Sequence, residues 1–261
     1  MQKEGDMMNA FIRGFSYPFQ SIGILGKNRL WHLAVIPAVI ALGLFIFMLV
    51  LGFRLAGPLR DAIWSGDISA AGFLGGLLTA LRASLKVIFF LLFAGLSFLL
   101  YVMLAPALAA PFLDLISEKT EKALVGSVPT PRGLGGFFRA ALFGLGDALR
   151  ILGLTLAGNL LLMPLNLLPL LGNMLFVLIS AVFSWYMLAV EYTGMPANRR
   201  YISFSSRLRI MGKNPGVSLG FGLAVQLLLF VPVLNVLLLS MAASGSTMLF
   251  LDLFPEDGAD G

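Results

Sequence analysis

The chain of 261 residues is 59% apolar and only 12% charged, a balance far outside that of soluble domains; such a surface would leave large apolar patches in water, so lipid must be its solvent. Its net charge of +5 and pI near 9.7 come from cations spread over short segments between apolar runs, which suits headgroups and excludes a nucleic-acid face. Zero cysteines and one histidine exclude disulfides, thiol chemistry and a multi-histidine metal or catalytic centre.

The polar start, residues 1–6, carries no short apolar core with a cleavage site, so the spans themselves are expected to direct insertion. Residues 7–30 form an amphipathic segment: Phe11, Phe15, Phe19 and Ile22 draw one helical stripe, while Arg13, Ser16 and Gln20 lie off it. That stripe suits either a helix in the membrane interface or one packed on the chain's own bundle, and Pro18 is expected to bend or restart it.

Residues 31–56 hold the first predicted transmembrane helix, uncharged over 31–53 if His32 is neutral, and residues 87–113 hold the second. Each run covers the roughly 30 Å hydrocarbon core at about 1.5 Å per residue. Pro106 and Pro111 predict a kink or an early stop. Residues 114–139 read as a polar surface segment, with Leu113, Ile116, Thr120 and Leu124 on one side and charges of both signs on the other. Val128-Pro129-Thr130-Pro131 breaks it, and helical pattern resumes at Phe137.

Residues 151–190 carry no charge over 40 positions, which as one straight helix would reach about 60 Å, twice the hydrocarbon thickness. They must fold back, and the break is written in Pro164, Asn166 and Pro169. Residues 217–251 repeat the arrangement, with Pro232 and Asn235 at the apex. The leading arms, 151–163 and about 15 residues from 217, fall short of the roughly 20 residues a span needs. Two hemi-penetrating helical hairpins are therefore expected, with Asn166 and Asn235 capping backbone groups freed at the apices. An acidic tail, 252–261, follows.

If both hairpins return to their starting side, the cytoplasmic segments hold 14 lysines and arginines against 4 outside, which places both termini in the cytoplasm. Arg199, Arg200, Arg207, Arg209 and Lys213 form the densest basic segment, suited to lipid contact, to drawing substrate toward a pore, or to a protein partner. Asp147 and Arg150, three apart, can pair on a helix, marking either an interfacial helix start or an ion path. Glu191 beside Tyr192 reads as an interfacial helix end. Glycines such as Gly153 and Gly158 permit close helix packing. No Walker motif, dinucleotide fingerprint, catalytic triad or paired acidic site is present, so no enzyme, cofactor or metal is expected.

Several stretches carry a family resemblance when read in order. Residues 109–119, Ala-Ala-Pro-Phe followed by a polar helix, are the most specific. Leu168-Pro169-Leu170-Leu171-Gly172, the stretch from Trp185 to Tyr192 with Pro196, Pro232-Val233-Leu234-Asn235 and Gly245-Ser246-Thr247 follow at matching places. From about residue 9 to 252 the chain resembles the CysZ family of bacterial sulfate-uptake proteins and the wider etoposide-induced-protein domain family. The resemblance implies an all-α integral membrane fold of two long transmembrane helices, two hemi-penetrating hairpins and amphipathic interfacial helices. It also implies a homo-oligomer in the bacterial inner membrane and passive passage of sulfate or a related oxyanion.

The family's Gly-Leu/Ile-Arg-Arg motif before the first span is replaced by Gly26-Lys27-Asn28-Arg29-Leu30-Trp31-His32, with Trp31-His32 in place of the paired arginines. Lys27, Asn28 and Arg29 are the remaining candidates for an anion site, Asn28 capping the following helix so that its free N–H groups face the anion. The same cations would equally serve lipid phosphates, and His32 serves as an interfacial side chain or a pH-sensitive gate. The alternative function is a membrane-shaping or scaffold protein that transports nothing.

Overall fold

A computed structural model describes residues 2–63, 73–129, 133–168, 171–230 and 235–254. Among them the chain is helical and contains no strand. The helices are α1 (Gln2–Lys27), α2 (Trp31–Ile63), α3 (Phe73–Val125), α4 (Gly133–Leu162), α5 (Gly172–Tyr192), α6 (Gly194–Arg199), α7 (Phe204–Lys213), α8 (Pro215–Leu229) and α9 (Asn235–Leu253), with a 3-10 turn at Met163–Leu167. By length and composition, three described stretches can cross a bilayer: Leu42–Leu59, Leu142–Leu167 and Gly172–Arg199.

Several expected breaks do not occur. Helix α1 runs unbroken through Pro18. Helix α3 continues for 53 residues through Pro106 and Pro111 and carries the acidic and basic residues after 113 as its own last turns. It stops at Gly126, whose φ of 81° lets its N–H close on the Lys122 carbonyl at 3.0 Å, the left-handed cap that glycine favours. Helix α4 starts at Gly133 and runs 30 residues, so the leading arm of the first predicted hairpin is far longer than 151–163. The helix thus begins four residues ahead of Phe137, where helical pattern was expected to resume. In the second predicted hairpin, α8 has 15 residues and α9 has 19.

The structure divides into two compact units, 1–34 with 112–261, and 35–111. In the second unit α2 and α3 run antiparallel: Phe45 meets Tyr101 at 5.3 Å and Phe53 meets Phe90 at 6.0 Å between ring centroids. Gly52 leaves room for the Phe93 side chain, which a Cβ there would approach to 2.6 Å.

The first unit is organised by α1 lying against α8 and α9, with α5 on the other side of α8. Glycine sets these approaches. A Cβ at Gly14 would fall 2.0 Å from the Val217 carbonyl oxygen, at Gly220 2.0 Å from that of Phe11, and at Gly222 1.8 Å from that of Trp185. Backbones can come this close only where no side chain intervenes. Phe221, Val225, Val190, Met211 and Leu249 fill the core between them. Helix α1 turns Gly14, Tyr17, Ser21 and Leu25 inward and leaves Phe19 and Ile22 exposed. The packed face thus flanks the apolar stripe: Phe11 and Phe15 are half-buried beside Gly220, while Phe19 and Ile22 face outward.

Candidate anion site and the buried charge network

Lys27, Asn28 and Arg29 make the turn between α1 and α2, and all three are exposed. The turn is a Schellman motif: Leu30 N–H reaches the Leu25 carbonyl at 2.9 Å and Arg29 N–H reaches that of Gly26 at 3.1 Å. Leu25 and Leu30 are buried, the apolar contact that accompanies such a turn. Arg29 occupies the left-handed position with φ 53°, where glycine is usual and an L side chain costs about 1–2 kcal/mol. Lys27 and Arg29 enter no ion pair with any described residue. The Asn28 amide donates to the Ile24 carbonyl at 2.9 Å. It therefore closes the end of α1 and does not cap α2, which begins at Trp31. The His32 ring approaches the Arg29 carbonyl through Nδ1.

Of the predicted apex residues, Pro164 opens the 3-10 turn. Asn166 donates from its amide to the Met163 carbonyl at 3.1 Å. Pro169 and Pro232 lie outside the described residues, and Asn235 begins α9 with its side chain not described.

Two buried charge clusters were not foreseen. In the first, Glu121, wholly buried, takes the guanidinium of Arg199 at 2.8 Å and that of Arg200 on its other oxygen. Arg199 also donates to Asp114 at 2.7 Å and to the Ser117 hydroxyl at 2.9 Å. Hydroxyls continue the polar seam into α9: Ser117 meets Thr247 at 2.8 Å, and Thr120 donates to Ser244 at 2.9 Å. In the second, Arg207 pairs with Asp147 and donates to the Val190 carbonyl at 3.1 Å. Both side chains are essentially inaccessible, at 0% and 2%. Burial pushes the Arg207 guanidinium down from its ordinary range, and the Asp147 carboxylate pulls it back up. The Asp147–Arg150 contact read from the sequence exists at 3.4 Å, but Arg150 is 60% exposed and serves as the outer partner. These pairs join residues 60 to 85 positions apart, beyond any local spacing rule.

A cleft of about 380 Å³ opens beside the second pair, lined among others by Asp147, Thr155, Glu191, Asn198 and Arg207. Its guanidinium is already engaged by Asp147 and Val190, and Glu191 adds a second carboxylate. An oxyanion there would meet two carboxylates and a guanidinium already taken up by its partners. The α1–α2 turn, by contrast, carries two exposed cations that enter no ion pair with any described residue.

The sequence comparisons agree with one another. The family described as "Sulfate transporter CysZ/Etoposide-induced protein 2.4" matches residues 17–240. A "Sulfate transporter CysZ" of Pseudomonas fluorescens (strain Pf0-1) is 28% identical over 92% of this chain and 93% of its own. Its namesake in strain Pf-5 is 31% identical over 59% of this chain and 62% of its own. That of Vibrio atlanticus is 29% identical over 59% and 61%. The chain thus spans about three fifths of the length of the latter two and nearly all of the first. With a match that spans most of its length, the chain belongs to the sulfate transporter CysZ/etoposide-induced protein 2.4 family.

Proposed function

We propose that this membrane protein passes a small oxyanion, sulfate or a close relative, down its gradient without ATP hydrolysis. Family membership and relatives named as sulfate transporters support the reading. The observation that carries it to particular residues is the α1–α2 turn, where Lys27 and Arg29 stand exposed and in no ion pair with any described residue. Arg29 holds a left-handed backbone that glycine would adopt at lower cost.

In the proposed arrangement, α2 and α3 cross the bilayer. The segments 151–190 and 217–251 enter as hairpins, with Pro164, Asn166, Pro169, Pro232 and Asn235 at their apices. The 15-residue length of α8 supports a partial crossing for the second. For the first, α4 and α5 are each long enough to cross, so its depth rests on both ends returning to one side. The protein works as a homo-oligomer in the bacterial inner membrane with both termini cytoplasmic. Radiolabelled sulfate uptake into liposomes holding the purified protein tests the reading: flux above empty liposomes, lowered by Lys27→Ala and Arg29→Ala, is expected. Flux equal to empty liposomes would instead favour a scaffold role.

A further inference from the structure

The densest basic segment splits into two populations. Arg199, Arg200 and Arg207 turn inward onto Glu121, Asp114 and Asp147. Arg209 and Lys213 stay exposed on α7, four residues apart and so on one face. Neither enters an ion pair with any described residue. On α7 itself Arg207 is buried and paired, while Arg209 and Lys213 remain open to an anionic partner.

Beneath α7 lies a groove between α5 and α8, of about 520 Å³, walled by Leu178, Val182, Phe183, Tyr186, Pro215 and Leu219 and almost devoid of polar surface. The groove begins where α7 ends. The Tyr186 hydroxyl donates to the Leu208 carbonyl at 2.7 Å, Gly212 lies against the same hydroxyl, and Pro215 follows Lys213 by two residues. An apolar trough adjoining a helix with two exposed cations, neither in an ion pair with any described residue, fits an amphiphile, with an acyl chain in the trough and a negative head beside α7. A chainless anion would leave the trough empty, and a zwitterionic lipid brings a phosphate but no net negative charge to the two cations.

We propose that the α5–α8 groove, capped by Arg209 and Lys213, is a specific site for one anionic glycerophospholipid. The test uses the full-length protein in mild detergent, titrated with phosphatidylglycerol or phosphatidylcholine of matched chains and read by native mass spectrometry. One phosphatidylglycerol is expected to remain bound under conditions that strip phosphatidylcholine. Removing both cations (R209Q with K213Q) should weaken its retention by about fivefold for each charge and leave phosphatidylcholine unchanged. Val182→Trp, which fills the groove but keeps both cations, should also release the lipid. Lys119→Gln with Lys122→Gln, an equal charge loss on exposed positions of α3, should not. The proposal is overturned by equal retention of the two lipids, by glycerol phosphate displacing phosphatidylglycerol, by a control pair as damaging as the α7 pair, or by a filled groove that still binds. A second copy of the chain occupying the groove, seen as a dimer that Val182→Trp dissolves with no lipid bound, overturns it as well.

Discussion

Replacing Arg207 by methionine removes a guanidinium that is wholly enclosed and leaves Asp147, 2% exposed, facing the vacated volume. Stripping one partner from a buried ion pair costs about 3–5 kcal/mol, because the remaining charge keeps its desolvation penalty without its counter-ion. Arg150 sits 3.4 Å from the other Asp147 oxygen and can supply part of that counter-charge, which sets the expected loss near 3 kcal/mol, the lower end of the range. Asp147→Leu alone strands the guanidinium, whose other described acceptor is the Val190 carbonyl, and should cost more, roughly 4 kcal/mol. The double variant carries neither charge and refills the volume with apolar atoms, so its loss should be smaller than that of either single change. Equilibrium unfolding in mixed micelles, followed by tryptophan fluorescence, measures all three. Losses that simply add would refute the idea that these two groups hold each other in place. Arg207→Lys is expected to fall short of rescue, since the site uses two separate guanidinium nitrogens and Gly194 is shaped to admit one of them, a Cβ there reaching it at 2.5 Å.

Three further outcomes follow from the same geometry. Arg29→Gly should stabilise the fold by about 1 kcal/mol, relieving the left-handed residue, while lowering sulfate flux; a destabilised protein would show that the turn is misread. Gly220→Ala, whose new Cβ meets the Phe11 carbonyl at 2.0 Å, should cost more than 2 kcal/mol in the same unfolding assay, whereas Gly23→Ala, with open space around it, should gain about 0.5–1 kcal/mol. Glu121→Gln should lower stability by about 1.5–3 kcal/mol, because it removes the charge that holds both Arg199 and Arg200; an unchanged unfolding midpoint would count against the buried cluster.

Run lengths and composition made the helical membrane class legible, since no other element satisfies its own backbone in lipid. The inner and outer faces of α1 were legible only in part: the aromatic stripe marked an amphipathic helix, but Gly14, Tyr17 and Ser21 beside it are the most deeply packed positions, and Phe19 and Ile22 of the stripe stay exposed. Proline does not end the long helices. At Pro18, Pro106 and Pro111 the helix absorbs one missing hydrogen bond and continues, as helices do when neighbours or lipid-excluded packing sustain them. Of the two glycines expected to permit close packing, Gly158 does admit a neighbour, the Phe183 ring, while a Cβ at Gly153 would meet nothing within 4 Å. The basic segment at 199–213 looked uniform in sequence, yet its cations divide between buried carboxylates and the surface, because their acidic partners lie on α3 and α4. Lys27 and Arg29 were legible as juxtamembrane cations. The left-handed turn that presents them follows from the Leu25–Leu30 closure, which no local motif announced.

Sulfate flux through the reconstituted protein tests the account most directly. Labelled sulfate should enter protein-bearing liposomes faster than empty ones in the absence of nucleotide, and Lys27→Ala with Arg29→Ala should cut that rate severalfold while the unfolding midpoint holds or rises. Entry no faster than into empty liposomes would contradict the account, as would full flux in the double variant for the anion seat it assigns.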